Sequence, residues 1–282
     1  MSLSPASSVT AGLVLGATSV LAAITYAVAA GTAHKADPLR PRWQGALLVA
    51  WALHLIALVV DIAGFGAATP GARFGFAPAL SMTVWLVLAV YLVESRFVPL
   101  TSARRVLAVL AVLAVLLALK FPGESRPTAS PWAPLHWGLG LASYGLFGVA
   151  VLHAVLLNRA ERQMRRIQIG PSAGGESLPM TGMPLLRLER LTFQFVAAGV
   201  VVLSLAIGLG WWFTPQWHWD HKNLLAVSGW VVLTGLLTGR RVLGWRGRRA
   251  TRWLYLGAVL LLLSYVGSRF VLEVLLGKTG AA

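Results

Sequence analysis

The chain contains no cysteine. That absence excludes disulfide frameworks, thiolate metal sites, Cys nucleophiles and Cys-linked cofactors, so any metal chemistry must run through His, Met, Asp or Glu. Charge is scarce too: 12% of the 282 residues are charged, against roughly a quarter in soluble domains. Acids are scarcest, nine Asp and Glu beside 24 Lys and Arg. No pair of carboxylates and no nucleophile with an adjacent base stands out, so no catalytic residue is assigned and a turnover enzyme is not expected. What the chain has instead is apolar surface, 57% hydrophobic residues and a mean hydropathy of +0.73. A water-soluble enzyme does not fit that balance.

A bilayer core of about 30 Å needs about 20 apolar residues in a helix. Eight runs bounded by charge, Pro or Gly qualify, at 8–30, 45–67, 77–93, 104–120, 134–157, 192–213, 222–239 and 251–276. They predict an all-α polytopic membrane protein with eight transmembrane helices in a single domain. Ala27 and Ala29 give the first run a cleavage-like pattern, but nothing before Thr10 is charged and the run is too long for a secretory signal, so it reads as a retained span.

Lys and Arg between the runs number three in 31–44, three in 94–105, six in 158–191 and six in 240–252, whereas the opposite side holds only Arg73, Lys120, Arg126, Lys222 and Lys278. The positive-inside rule then puts both termini on the periplasmic side of a bacterial inner membrane. The net charge of +15 is therefore mostly topology. Split among four short segments, it forms no basic stripe for nucleic acid, which is not expected as a partner. A basic cytoplasmic face could hold anionic lipid headgroups as a secondary effect. The longest connection, 158–191, contains Gly174, Gly175, Pro179 and Pro184 and reads as a mobile cytoplasmic loop with a short basic amphipathic start.

Ionisable groups in hydrocarbon cost several kcal/mol, so each one inside a span is a functional candidate. His54 and Asp61 lie seven residues apart on one helix face. His54 can serve either as a ligand within the bilayer or as a neutral His bonded to a neighbouring helix. His136 and His153 open and close the fifth run, 17 residues or roughly 25 Å apart, too far for one planar cofactor to bridge. As ligands they serve two depths, the outer near His221 and the inner near His54. Two imidazoles in trans axial positions, without Cys and with few carboxylates, suit haem iron better than a four-ligand zinc site. The haem would be non-covalent, of b type.

The segment 211–222, a tryptophan-rich periplasmic loop, carries Trp217, Trp219 and Asp220. Its indoles can cover a flat macrocycle; an interfacial aromatic belt accounts for them equally well. Asp220 immediately precedes an apolar run and suits a helix N-cap. Arg269 and Glu273 form an i, i+4 pair in which Arg269 either snorkels outward or partners a cofactor carboxylate, a role open to Lys222 as well.

Taken together, LERLTFQFVAAGVVVLSLAIGLGWW from Leu188, WHWDHKNLLAVSGWVVLTGLLTGRR from Trp217 and PLHWGLGLASYGLFGVAVLHAVLL from Pro134 resemble the membrane-integral cytochrome c assembly proteins of the CcsA and CcmC type, within them the HemX-like and YpjD-like branch. The resemblance covers most of the chain. It implies a protein that binds haem, moves or presents it toward the outer face and hands it to other membrane proteins of cytochrome c assembly. His136 would inherit the family's external His, and Trp217, Trp219 and Asp220 keep the W-x-W-D core of the presenting loop. The departures point to the HemX-like branch and away from a full haem-attachment synthase. The Trp-Gly before that core is missing, the Pro after the Asp is His221, the Glu beyond Lys is Asn223, Thr238 replaces a His, and no His follows the eighth run. The rival expectation is a membrane scaffold or regulator of a partner, such as a tetrapyrrole-synthesis enzyme or an ion transporter, in which the His residues only pack. A secondary transporter would show inverted repeats, and none is discernible.

Overall fold

Bilayer hydrocarbon offers backbone groups no water, so a chain this apolar must satisfy its amides internally, as helices do. The computed structural model describes residues 5–32, 41–64, 72–96, 101–126, 130–169, 185–213 and 219–276, almost all of them helical. The long helices are α1 (Pro5–Thr32), α2 (Pro41–Ile62), α3 (Phe76–Glu94), α4 (Thr101–Lys120), α5 (Ala133–Ile169), α6 (Leu185–Phe213), α7 (His221–Val242) and α8 (Gly247–Leu262). The α8 rod continues through a π-helical turn (Leu263–Gly267), one α turn (Ser268–Phe270) and a second π turn (Val271–Leu275). Two three-residue strands, β1 (Ala72–Phe74) and β2 (Glu124–Arg126), pair antiparallel between α2 and α3 and after α4.

Seven of these helices are long and apolar enough to cross a membrane among the described residues. The other, α4, carries Arg104, Arg105 and Lys120 at its two ends around an apolar stretch, 106–119. Aliphatic side chains such as Leu13, Val49, Leu113, Val201 and Val259 point outward and exposed. Helices apolar all round belong in lipid.

Contacts between helix ends fix the alternating directions. At one end, β1 meets β2, Phe76 packs on Phe121 and Phe270, and His136 at the start of α5 reaches Ala206 near the end of α6. We call this the tryptophan end, because α6 ends there with Trp211 and Trp212. At the arginine-rich end, Glu94 meets His153, Glu189 meets Arg240 and Asn158 donates to Tyr255. Two apolar cores stack the bundle. One gathers α1 to α4 around Tyr26, Leu88, Leu107 and Ala111 and takes in Val149, Leu156 and Leu157 of α5 and Leu188 of α6; the other gathers α5 to α8 around Phe147, Val196, Leu233 and Leu254. Without a hydrophobic drive between helices in lipid, close approach at small residues supplies the packing. At Gly257 an added Cβ would stand 2.5 Å from the Leu233 side chain.

The expected runs are found, but several boundaries move. The second run ends as helix at Ile62, and 65–67 lies outside the described residues. The basic segment expected to open a loop after residue 157 instead prolongs α5 by three turns to Ile169, and α6 starts at Leu185. Arg and Glu are good helix formers, so nothing in 158–169 stops the helix. The Gly- and Pro-rich remainder of that connection lies outside the described residues. The tryptophan-rich loop also shrinks: Trp211, Trp212 and Phe213 belong to α6, and α7 begins at His221. Trp217 lies outside the described residues.

Candidate functional site

His136 sits in the first turn of α5, half-buried against the last turns of α6. Its Nδ1 donates to the Ala206 carbonyl at 2.8 Å. A carbonyl only accepts, so Nδ1 carries the proton and, in the neutral ring, Nε2 keeps its lone pair. A carbonyl on the far nitrogen is the arrangement that orients metal-ligating imidazoles. Phe213 packs edge-on against the ring, with centroids 5.6 Å apart. Gly210 is required here, because a Cβ on it would stand 2.8 Å from His136 Cε1.

The imidazole borders a cavity with two lobes of about 120 and 390 Å³ that share His136, Trp137, Gly140, Tyr144, Lys222 and Tyr265. Cofactor sites commonly occupy roughly 300–1,000 Å³ of mostly apolar space with a few polar groups. The smaller lobe adds Phe74, Leu141, Val266 and Arg269; the larger adds Phe213, Asp220 and Asn223. Tyr265, Val266 and Arg269 all come from the stretch of α8 where the backbone switches between α and π. Each switch inserts a residue and re-aims the side chains beyond it, which is why π turns concentrate at functional sites. Tyr144 donates its hydroxyl to the Leu261 carbonyl just before the first π turn, and Ser264 donates to the Lys222 carbonyl at 2.9 Å. The two bonds tie α5 and α7 to the irregular segment.

The same irregularity overturns the expected Arg269–Glu273 pair. No ion pair joins them within 4 Å among the described residues, since the π turn at Val271–Leu275 takes Glu273 off the i+4 face. Its carboxylate lies instead against α3, where a Cβ on Gly75 would be 3.2 Å from Oε2. Arg269 stays buried, 9% exposed, in the cavity wall. Lys222 Nζ lies 5.9 Å from the Tyr265 ring centroid. Asp220 caps α7, accepting from Asn223 N–H at 2.7 Å, as its position before the apolar run implied.

The remaining residues singled out in the sequence fall elsewhere. His221 is the first residue of α7, exposed at the same end of the bundle and outside the cavity lining. Trp219 is exposed beside it. His54 is fully buried, Nε2 against Ser81 Oγ at 2.7 Å and Nδ1 against Tyr26 OH at 3.4 Å, so both ring nitrogens have partners. Near it, buried Asp61 pairs with Arg73 at 3.6 Å. His153 is buried at the arginine-rich end, Nδ1 donating to Val149 O at 2.9 Å and Nε2 3.0 Å from Glu94. His54 and His153 do not form an inner pair. Their partners on α3, Ser81 and Glu94, are 13 residues apart, roughly 20 Å of helix. No cluster of three or more His, Asp and Glu with metal-holding geometry occurs among the described residues.

Sequence reasoning missed Tyr144, Tyr265, Ala206 and Gly210. Only Gly210, immediately before Trp211 and Trp212, left a trace in the sequence. The others are ordinary helix residues until the fold places them around His136.

Residues 44–276 match the family described as cytochrome C assembly protein. The chain belongs to that family. Among curated relatives, inner membrane protein YpjD of Escherichia coli K12 is 32% identical over 164 residues, 56% of this chain and 60% of the relative. An uncharacterised 28.8 kDa protein of Azospirillum brasilense is 34% identical over 154 residues, 52% of this chain and 54% of the relative. Cytochrome c biogenesis protein CcsA of Synechococcus sp. WH7803 is 26% identical over 167 residues, 49% and 52% of the two chains. The aligned region thus spans little more than half of each relative's length. No solved structure matches.

Proposed function

We propose that this member of the cytochrome c assembly family is an inner-membrane haem-handling protein that binds non-covalent b-type haem at the tryptophan end, on the periplasmic side. The observation that carries the reading is His136: a single-tautomer imidazole, its lone-pair nitrogen unclaimed by Ala206, bordering an aromatic cavity that also contains a buried cation. The residues present suit the group. A thioether or thiolate attachment is impossible without cysteine on this chain, so the haem is held by coordination and packing alone.

In this reading Ala206 holds the His136 ring in register, Gly210 leaves it room, and Trp137, Tyr144, Phe213 and Tyr265 cover the macrocycle and exclude water. Iron porphyrin supplies the coordination chemistry and is itself the cargo for cytochrome c biogenesis, the process that names the CcsA relatives. Trp219, exposed beside the start of α7, would supply an indole face to the bound ring, the part the W-x-W-D resemblance gives it. His221, exposed at the first position of α7 beside Lys222, would supply a second imidazole nitrogen to the iron. His54 and His153, whose ring nitrogens are taken by Ser81, Tyr26, Val149 and Glu94, pack the bundle.

The test is spectroscopic. Purified protein reconstituted with haem shows a Soret band, and His136→Ala abolishes it. His221→Ala converts a six-coordinate low-spin spectrum to a high-spin one. A colourless preparation indifferent to added haem refutes the reading and favours a scaffold that acts on partner proteins through its arginine-rich end.

A further inference from the structure

Arg269 is 9% exposed in a wall whose other members include Phe74, Leu141 and Val266. A guanidinium cannot be deprotonated to escape burial, and an isolated charge at membrane depth is expensive, so such a residue faces a partner or a ligand. Among the described residues no carboxylate comes within 4 Å of it. Glu273, the nearest in sequence, lies against Gly75, and Asp220 spends an oxygen on the α7 cap. The two π turns flanking Arg269 break the regular spacing that would pair it along its own helix. Lys222 lines the same lobe from α7. The cavity therefore joins an apolar body to a wall with two cations, a shape that fits an amphiphile with an anionic end.

Resting on the tetrapyrrole reading above, we infer that Arg269, supported by Lys222, recognises the ligand's free carboxylates, so that the cavity selects dicarboxylate tetrapyrroles, with or without iron, over their esters. His136 then adds affinity only for the metal form. The site distinguishes a free tetrapyrrole diacid from an esterified one before any iron is coordinated. An anionic phospholipid headgroup offers the same kind of oxygen anion and is the competing source.

Full-length protein in nanodiscs of zwitterionic lipid is titrated with haemin, metal-free protoporphyrin IX and the dimethyl ester of each, following Soret absorbance for the iron forms and porphyrin fluorescence for the others. The diacids bind, and His136→Ala weakens haemin more than it weakens protoporphyrin IX. The esters bind roughly 10- to 100-fold more weakly, the value of a hydrogen-bonded charge pair. Arg269→Gln weakens the diacids to the level of the esters and leaves ester affinity unchanged, while Arg269→Lys retains part of the preference. Equal affinity of diacid and ester for wild type overturns the inference, as does an Arg269→Gln variant that loses both forms equally, which marks a structural role. Failure of haemin to bind wild type in either form refutes the tetrapyrrole reading itself. In that case, native mass spectrometry that finds phosphatidylglycerol retained by wild type and lost from Arg269→Gln assigns the guanidinium to lipid phosphate and overturns the selection of tetrapyrroles.

Discussion

Replacing Gly210 by alanine is the sharpest perturbation of the candidate site, because it adds one methyl group where the His136 ring already stands. The new Cβ would lie 2.8 Å from Cε1 and 3.1 Å from Nδ1, whereas ordinary contacts begin at 3.4 Å. The ring must retreat by roughly 0.6 Å, the difference between those distances. Ala206 lies one turn earlier on the same face of α6, so the retreat stretches the 2.8 Å bond to its carbonyl to as much as about 3.4 Å, past the usual 2.7–3.2 Å range, and weakens it. Loss of one such bond costs about 0.5–1.5 kcal/mol. Glycine to alanine inside a helix returns about 1 kcal/mol through backbone entropy. Thermal stability should therefore hardly change. Ligand affinity should not be spared, since losing the group that orients a metal-binding His typically weakens binding about 10–100-fold. The assay is a haem titration followed at the Soret band in detergent, beside thermal unfolding of the same preparation. Gly208→Ala is the control, as a Cβ there meets nothing within 4 Å. Wild-type affinity in Gly210→Ala, or an equal loss in Gly208→Ala, refutes the assignment of His136 as the oriented ligand.

Two further outcomes follow from the polar groups outside the cavity and from the charge distribution. Ser81→Ala strands the buried Nε2 of His54 and should destabilise the protein by about 1–3 kcal/mol in denaturant or thermal unfolding. Haem affinity should stay at the wild-type value, because His54 and the cavity share no wall; loss of the Soret band in Ser81→Ala would show that the two are coupled. A reporter fused after Lys278 should behave as periplasmic, given the excess of Lys and Arg in alternate connections. Cytoplasmic behaviour would invert the side on which His136 faces.

Helix existence was legible because hydrocarbon imposes a one-dimensional rule, about 20 apolar residues per crossing, and composition reports that directly. Boundaries were less legible where polar residues such as those at 158–169 can be helical in water beyond the membrane. The capping role of Asp220 was readable because an N-cap is a local interaction within four residues. The Arg269–Glu273 pair was misread for the opposite reason: i, i+4 spacing assumes α geometry, and the π turns around Arg269 leave no mark in composition.

Residue chemistry by itself determined that this is a cysteine-free, helical membrane protein whose few histidines are its candidate ligands, since partition into lipid and the donor inventory depend on side-chain type and order alone. Which histidine faces open space was decided only by three-dimensional packing. His54, His136 and His153 are alike in sequence terms, each an imidazole in an apolar helix. Yet Ser81 and Tyr26 occupy one, Val149 and Glu94 another, and only His136 meets a single carbonyl and an adjoining cavity. That difference comes from helices 70 residues apart in the chain meeting at Gly210, a contact whose energy depends on distances of a few tenths of an ångström and not on any local pattern.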